Sequence, residues 1–186
     1  MIVSPFYKLS KSFEKRLTNG LLISLIILIV VMRYFDAPLK NHVSTSGIVS
    51  FELAKDLSKS QAILTSWDAI ARASAGMSLG IDFLFLLVYT SFISLLIHKL
   101  NERLWKHSNM YKAGHVFMWG VFLAGLFDCI ENLALIQLLL GDLQQIWSSM
   151  AYYFAILKFG LLTLGILYII INMVLLAVKK QRTHLK

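Results

Sequence analysis

Cysteine is almost missing from this chain: Cys129 is the only one. A single thiol excludes an intramolecular disulfide and leaves nothing for dithiol redox chemistry or a cysteine-based metal site. Cys129 therefore reads as a small apolar residue within a helix. Histidines 42, 98, 107, 115 and 184 lack the short paired spacings of zinc ligands, so neither a metal nor another cofactor is expected. Lys and Arg are absent from 141–149, a stretch that contains Asp142. Also absent is room for a separate soluble catalytic domain. In a chain of 186 residues, four spans of about 20 residues each leave only one connection long enough for further structure.

What fills the chain instead is apolar. Hydrophobic residues make up 58% of it and the mean hydropathy is +0.69, against roughly 45–50% apolar content in an ordinary soluble domain. Lipid is the solvent that suits this composition. The pattern predicts an all-α integral membrane protein, a four-transmembrane-helix bundle forming a single membrane domain over 1–186, with spans at about 18–35, 76–98, 113–140 and 150–178. The first apolar run, 21–34, is short, but Phe13 and Leu17 before it and Phe35 after it extend it. A cleaved signal peptide is the competing reading; Arg33, Tyr34 and Phe35 stand where small cleavage-site residues belong, which argues against it. Gly76 and Gly80 form a small-xxx-small pair, a weak signal of close helix packing.

Basic residues orient the bundle. Lys8, Lys11, Lys15 and Arg16 precede the first span, Lys99, Arg103, Lys106 and Lys112 join the second to the third, and Lys179, Lys180, Arg182 and Lys186 end the chain. Cytoplasmic loops carry the excess of Lys and Arg, so all three segments belong inside and both termini are cytoplasmic, in what is expected to be a bacterial inner membrane. The net charge of +8 is then a signal of topology and of anionic lipid; membrane lipid is an expected partner and nucleic acid is not. The connection between spans one and two lies outside, and 44–75 is expected to form a helical lid there. Ile48, Phe51, Ala54 and Leu57 mark a short amphipathic helix. Ser58 to Gln61 matches a capping box, with Ile63, Trp67, Ile70 and Ala71 following at helical spacing, so a helix is expected to start there and run directly into span two.

Five polar groups interrupt the apolar spans: Asp82, Asp128, Glu131, Asn132 and Lys158. In hydrocarbon such groups cost several kcal/mol each unless they pair, protonate or face water, so they mark a functional site by default. Asp128 sits one turn from both Glu131 and Asn132, which puts all three on one side of span three. Measured from the outer helix ends at about 1.5 Å per residue, Asp82, Lys158 and Glu131 lie at roughly 9, 12 and 13 Å depth. The expected pairing is Lys158 with Glu131 or Asp82, leaving Asp128 as a protonated acid, with Asp68 and Arg72 extending the network at the outer mouth. Trp67, Phe83, Phe85, Tyr89, Phe127, Tyr152, Tyr153 and Phe154 surround this half of the bundle, as in an aromatic-lined ligand site or an interfacial belt. Asn172, fourteen residues beyond Lys158, is expected to be interhelical glue.

The segments SFELAKD (50–56), SWDAIARASAGMSLGIDFLF (66–85), GLFDCIENLAL (125–135) and FAILKFGLL (154–162) resemble a recurring pattern in uncharacterised bacterial four-span membrane proteins. That resemblance covers most of the chain, implies the bundle and picks out Asp82, Asp128, Glu131, Asn132 and Lys158, but brings no activity with it. A looser likeness to EXPERA-type proteins, the sterol-isomerase and sigma-2-receptor group, rests on the four-span architecture and on YFDAPL (34–39); it implies acidic residues in an internal lipid-ligand pocket. DAIAR (68–72) with Gly80 and Asp82 resembles the alcohol phosphotransferases, although their spacing and further aspartates are missing. No catalytic role is carried over from either.

Three functions fit these residues. The first is binding of a small lipidic or amine-bearing molecule, with Asp82, Asp128, Glu131, Asn132, Lys158, Trp67, Asp68, Arg72 and Tyr89 as the ligand-binding set. The second is a membrane enzyme in which Asp128 and Glu131 are the catalytic acid and base on a hydrophobic substrate. The third is a proton or small-solute transport subunit, for which self-association would complete the path, since four spans without internal duplication lack the repeat common among transporters.

Overall fold

The computed structural model describes residues 4–108 and 110–184. Six α-helices carry almost all of it: α1 (Lys11–Asp36), α2 (Ile48–Glu52), α3 (Leu57–Ser66), α4 (Ala69–Leu104), α5 (Met110–Leu139) and α6 (Gln145–His184). No strand occurs among the described residues. α1, α4, α5 and α6 are each long and apolar enough to cross a membrane, which is the all-α four-helix architecture the hydropathy pattern predicts. All four begin or end outside the predicted spans. α1 starts at Lys11 rather than 18 and α6 runs over 145–184 rather than 150–178, because helical hydrogen bonding continues into polar turns that hydropathy does not count.

Local chemistry sets the helix ends. The Ser10 hydroxyl accepts a hydrogen bond from the Phe13 N–H at the start of α1, and the Asp68 carboxylate accepts one from Ala71 at the start of α4. α5 ends at Leu139, and just beyond it Gly141, with a φ of +98°, allows a left-handed turn. There Asp142 N–H donates to Gln137 O at 3.0 Å and Gly141 N–H to Leu138 O at 3.1 Å, satisfying carbonyls that the helix end would strand.

α5 lies between α4 and α6 and forms the centre of the bundle. Small residues let the backbones close: a Cβ at Gly125 would fall 2.6 Å from Thr90 Cγ2, and one at Gly165 would fall 2.8 Å from Val121 Cγ2. The expected seam at Gly76 and Gly80 is not used this way, since Gly80 has nothing within 4 Å. α1 stands at the edge against α4. Only 6% of its most apolar window is buried, compared with 44% for α4 and 50% for α5, so Ile23, Ile26, Ile27 and Val30 face outward, where lipid rather than protein must cover them.

The connection from α1 to α4 folds over one end of the bundle as the expected lid, but not with the expected joints. α2 is the short amphipathic helix, with Ile48 and Phe51 buried and its inner face against α5 and α6. α3 begins at Leu57 after Asp56, so Ser58 lies inside the helix and 58–61 is not its capping box. Nor does α3 continue into α4: the chain turns extended at Trp67 and Asp68, and Asp68 recaps it. Trp67 is buried under the lid, its indole N–H donating to Leu39 O at 2.9 Å and its ring edge-on to Phe51. Ser148 Oγ meets Ser60 Oγ at 2.9 Å, and the Gln145 amide accepts from Leu57 N–H and donates to Lys55 O, fastening the lid to α6.

The other end of the bundle has its own apolar cluster around Ile97, Met118, Val121 and Tyr168. Asn172 is glue there as expected: its Oδ1 accepts from the Trp105 indole at 2.6 Å, tying the end of α4 to α6. Tyr168 OH donates to Asn101 Oδ1 at 3.3 Å alongside it.

Candidate functional site

α4, α5 and α6 each bring polar side chains to one buried point beneath the lid, and Lys158 of α6 is its hub. Its ammonium lies 2.8 Å from Asp128 Oδ1, 2.8 Å from Glu131 Oε2 and 3.8 Å from Glu52 Oε2. The other Asp128 oxygen accepts from Tyr89 OH at 2.8 Å. One turn along the same helix, Asn132 donates its amide N–H to Asp82 Oδ2 at 2.5 Å. Glu131 is fully buried, and Asp128, Asn132 and Lys158 are each no more than 5% exposed. The arrangement follows from helical spacing: 128, 131 and 132 share the side of α5 that faces both α4 and α6.

Six residues singled out from the sequence therefore meet: Asp82, Tyr89, Asp128, Glu131, Asn132 and Lys158. The pairing differs from expectation. Lys158 takes Asp128 as well as Glu131, while Asp82 is held by Asn132 instead. Asp128 is thus the best-partnered acid of the set and not the isolated one, because Tyr89 and Lys158 reach it from opposite helices. Three others stand apart. Trp67 belongs to the lid core, Asp68 caps α4, and Arg72 spends its guanidinium on carbonyls, with Nη2 2.7 Å from Leu64 O and Nε 3.3 Å from Trp67 O. These two charged groups brace the lid hinge and do not extend the network. Among the aromatics, Phe85 packs on Tyr89 at 5.2 Å and Phe127 on Phe154 at 5.3 Å, whereas Tyr153 turns outward at 54% exposure, as a belt residue would.

Glu52 is the site residue that sequence reasoning did not pick. It sits on α2, outside any span, yet it is buried against Lys158 and adjacent to Glu131. Its signal was present: Glu52 falls four residues after Ile48 and beside Phe51, so it lies on the apolar face of that short helix. Burial pushes its carboxyl above the ordinary carboxylate range, opposed by Lys158 and reinforced by Asp128. Glu52 Oε2 and both Glu131 oxygens are buried and receive no hydrogen bond from the described residues, although Glu52 Oε2 and Glu131 Oε2 are ionic partners of Lys158. Three carboxylates, Asp128, Glu131 and Glu52, thus contact a single ammonium, and a fourth carboxyl, Asp82, is held by Asn132. Among the described residues no three His, Cys, Asp or Glu side chains are arranged to hold a metal ion; the ammonium occupies the centre of this cluster.

A cleft of about 630 Å³ opens between α1, the lid and α4. Ile29, Met32 and Val49 give it apolar walls, and Ser78 and Phe85 form its α4 side. Asp82 lies between those two at helical spacing, four residues after one and three before the other, on the same face. Arg33 and Lys40 stand at the cleft's rim, where Lys40 pairs with Asp36 at 3.0 Å.

Fold and geometry together define a multi-pass all-α membrane protein with charged residues buried inside its helical bundle. No protein-family model matches the chain, and no curated protein or solved structure is significantly similar to it.

Proposed function

We infer that this protein binds a small lipidic molecule carrying an amine, which enters sideways through the cleft between α1 and α4 and sets its cationic end among the buried carboxylates. One observation carries the reading: three carboxylates meet one ammonium, a fourth carboxyl, Asp82, is held by Asn132 on the neighbouring turn, and a cleft with apolar walls opens between α1, the lid and α4. In a low-dielectric interior that surplus negative charge must be offset, by protons or by a cation brought from outside. An ammonium on an apolar tail supplies the cation and fills the cleft with the tail. Asp36, already paired with Lys40, is the acid that lines the cleft; Asp82 shares the α4 face of Ser78 and Phe85, and the buried oxygens of Glu52 and Glu131 belong to the cluster beyond it. Apolar walls with a few convergent polar groups are the usual make-up of a small-molecule site. The basic segments support cytoplasmic termini and an outer lid, in a bacterial inner membrane.

Native mass spectrometry of gently extracted protein tests this. A co-purified apolar amine, or uptake of an added long-chain alkylamine but not the matching alcohol, is expected for the wild type and is lost in Asp82→Asn. Equal uptake of amine and alcohol sinks the reading.

The hydrogen-bonded chain from Tyr89 through Asp128 to Lys158, whose ammonium also makes an ionic contact with Glu131, supports a second reading, movement of protons. It serves either a transport subunit or acid/base work by Asp128 and Glu131 on a hydrophobic substrate. Proton flux in liposomes that Asp128→Asn abolishes, without alkylamine binding, favours transport; product formation from a lipid extract favours the enzyme.

A further inference from the structure

At the opposite end of the bundle from the lid, α4 and α6 part to leave a second groove of about 220 Å³. Its floor is hydrocarbon: Leu96 and Leu100 from α4, Ile169, Met173 and Leu176 from α6. Its rim is basic, since Lys99 and Arg103, one turn apart on α4, both line it. The neighbouring acid does not neutralise that rim. Glu102 accepts a hydrogen bond from Tyr111 OH and pairs with Lys106 at 3.5 Å, while Lys99 donates to the neutral Thr18 hydroxyl at 3.1 Å and has no carboxylate partner among the described residues. Arg103 is exposed and has no carboxylate partner among the described residues.

The groove is built into the fold. Beside it, the Trp105–Asn172 and Tyr168–Asn101 hydrogen bonds pin α4 to α6. Around it, the exposed residues of α6 are overwhelmingly apolar, Leu167, Ile170 and Ile171 among them, so the groove opens onto lipid.

We propose that this groove binds one anionic phospholipid, with the headgroup phosphate on Lys99 and Arg103 and an acyl chain laid over Leu96, Leu100, Ile169 and Met173. Two cations above an apolar slot complement an anion joined to a chain, and a basic pocket between membrane helices is the physical form of an anionic-lipid site. The surplus positive charge of the chain's ends and of 99–112 enriches such lipids around it. The site is separate from the carboxylate cluster and does not depend on what that cluster binds.

The test is lipid titration of the full chain in a non-ionic detergent, read by native mass spectrometry and by thermal shift. The probes are phosphatidylglycerol, phosphatidylcholine of matched chains, diacylglycerol and inorganic phosphate. Phosphatidylglycerol should bind at least tenfold more tightly than the zwitterionic lipid and should weaken with added salt. Arg103→Gln should lower that affinity about tenfold, Arg103→Lys should retain it, and Met173→Trp, an exposed change that fills the slot, should also lower it. Asp82→Asn should leave it unchanged. Equal binding of the charged and zwitterionic lipids, unchanged binding to Arg103→Gln, or equal stabilisation by inorganic phosphate alone would overturn the proposal.

Discussion

Lys158 is the residue on which the buried cluster turns. Its ammonium contacts three carboxylates while 5% exposed, so replacing it with methionine strands several acids without a counter-charge. Breaking a buried ion pair from one side costs about 3–5 kcal/mol, and Lys158→Met should lower the unfolding temperature accordingly. Glu131→Gln and Asp128→Asn should each cost less. Combining either with Lys158→Met should give a smaller loss than the two separate losses summed. The Asp128 combination should show the larger coupling, because only that carboxylate combines a 2.8 Å hydrogen bond from Lys158 with one from Tyr89. Additive melts in detergent for both pairs would refute the network. Asp82, Asp128, Glu131, Asn132 and Lys158 were each legible in the sequence, since charge inside an apolar run announces itself. Their pairing was not, because helical spacing gives the face and depth of a side chain but not which of several neighbours it turns to.

At the scale of elements the lid decides most. Its entry is fixed by Gly47, whose φ of +61° brings the chain back over the end of α1. A Cβ there would fall 2.0 Å from Asp36 Oδ1, the atom that accepts the Ile48 N–H at 2.8 Å. Gly47→Ala therefore meets both a disfavoured backbone conformation and a displaced carboxylate, and should cost about 1–3 kcal/mol. Limited proteolysis should show faster cleavage within 40–68 while the membrane helices stay intact; a lid as resistant as the wild type's would count against this hinge. The amphipathic pattern of 48–57 foretold α2, yet 58–71 read as one helix and is two. Hydrophobic periodicity carries across the Trp67–Asp68 break, because Trp67 is buried whether or not the helix continues. Arg72 explains why the break holds: its guanidinium caps carbonyls at the end of α3, a tertiary contact that propensity cannot anticipate.

For the molecule as a whole, the lid and the bundle are joined through Glu52, which makes stability depend on pH. The folded protein holds the Glu52 proton more tightly than the unfolded chain, because burial raises that group above its ordinary value of 4.5. Above that pH the folded state binds more protons than the unfolded one, so its stability falls as pH rises. Lys158, Asp128, Glu131 and Asp36 face the group and set how far the fall extends. Glu52→Gln removes this dependence. Its melting temperature should therefore gain on the wild type as pH climbs from 4.5 toward neutrality, and a difference that stays constant across that range would exclude the linkage. Glu52 is not legible in the sequence as a buried charge, because it lies outside the apolar spans and its burial comes from a lid folding down on them.

By itself the sequence determined the class, the number of spans, the existence of a helical lid and the face of α5 that carries the acids. These follow from periodicity and transfer free energy, which act along one helix at a time. Tertiary structure alone decided that Lys158 serves Asp128 and Glu131 together, that Glu52 joins them from outside the spans, and that a cleft opens between α1, the lid and α4. Each of those depends on how separate helices approach and rotate, and close contacts such as Gly125 against Thr90 and Gly165 against Val121 set that geometry only once the chain has packed.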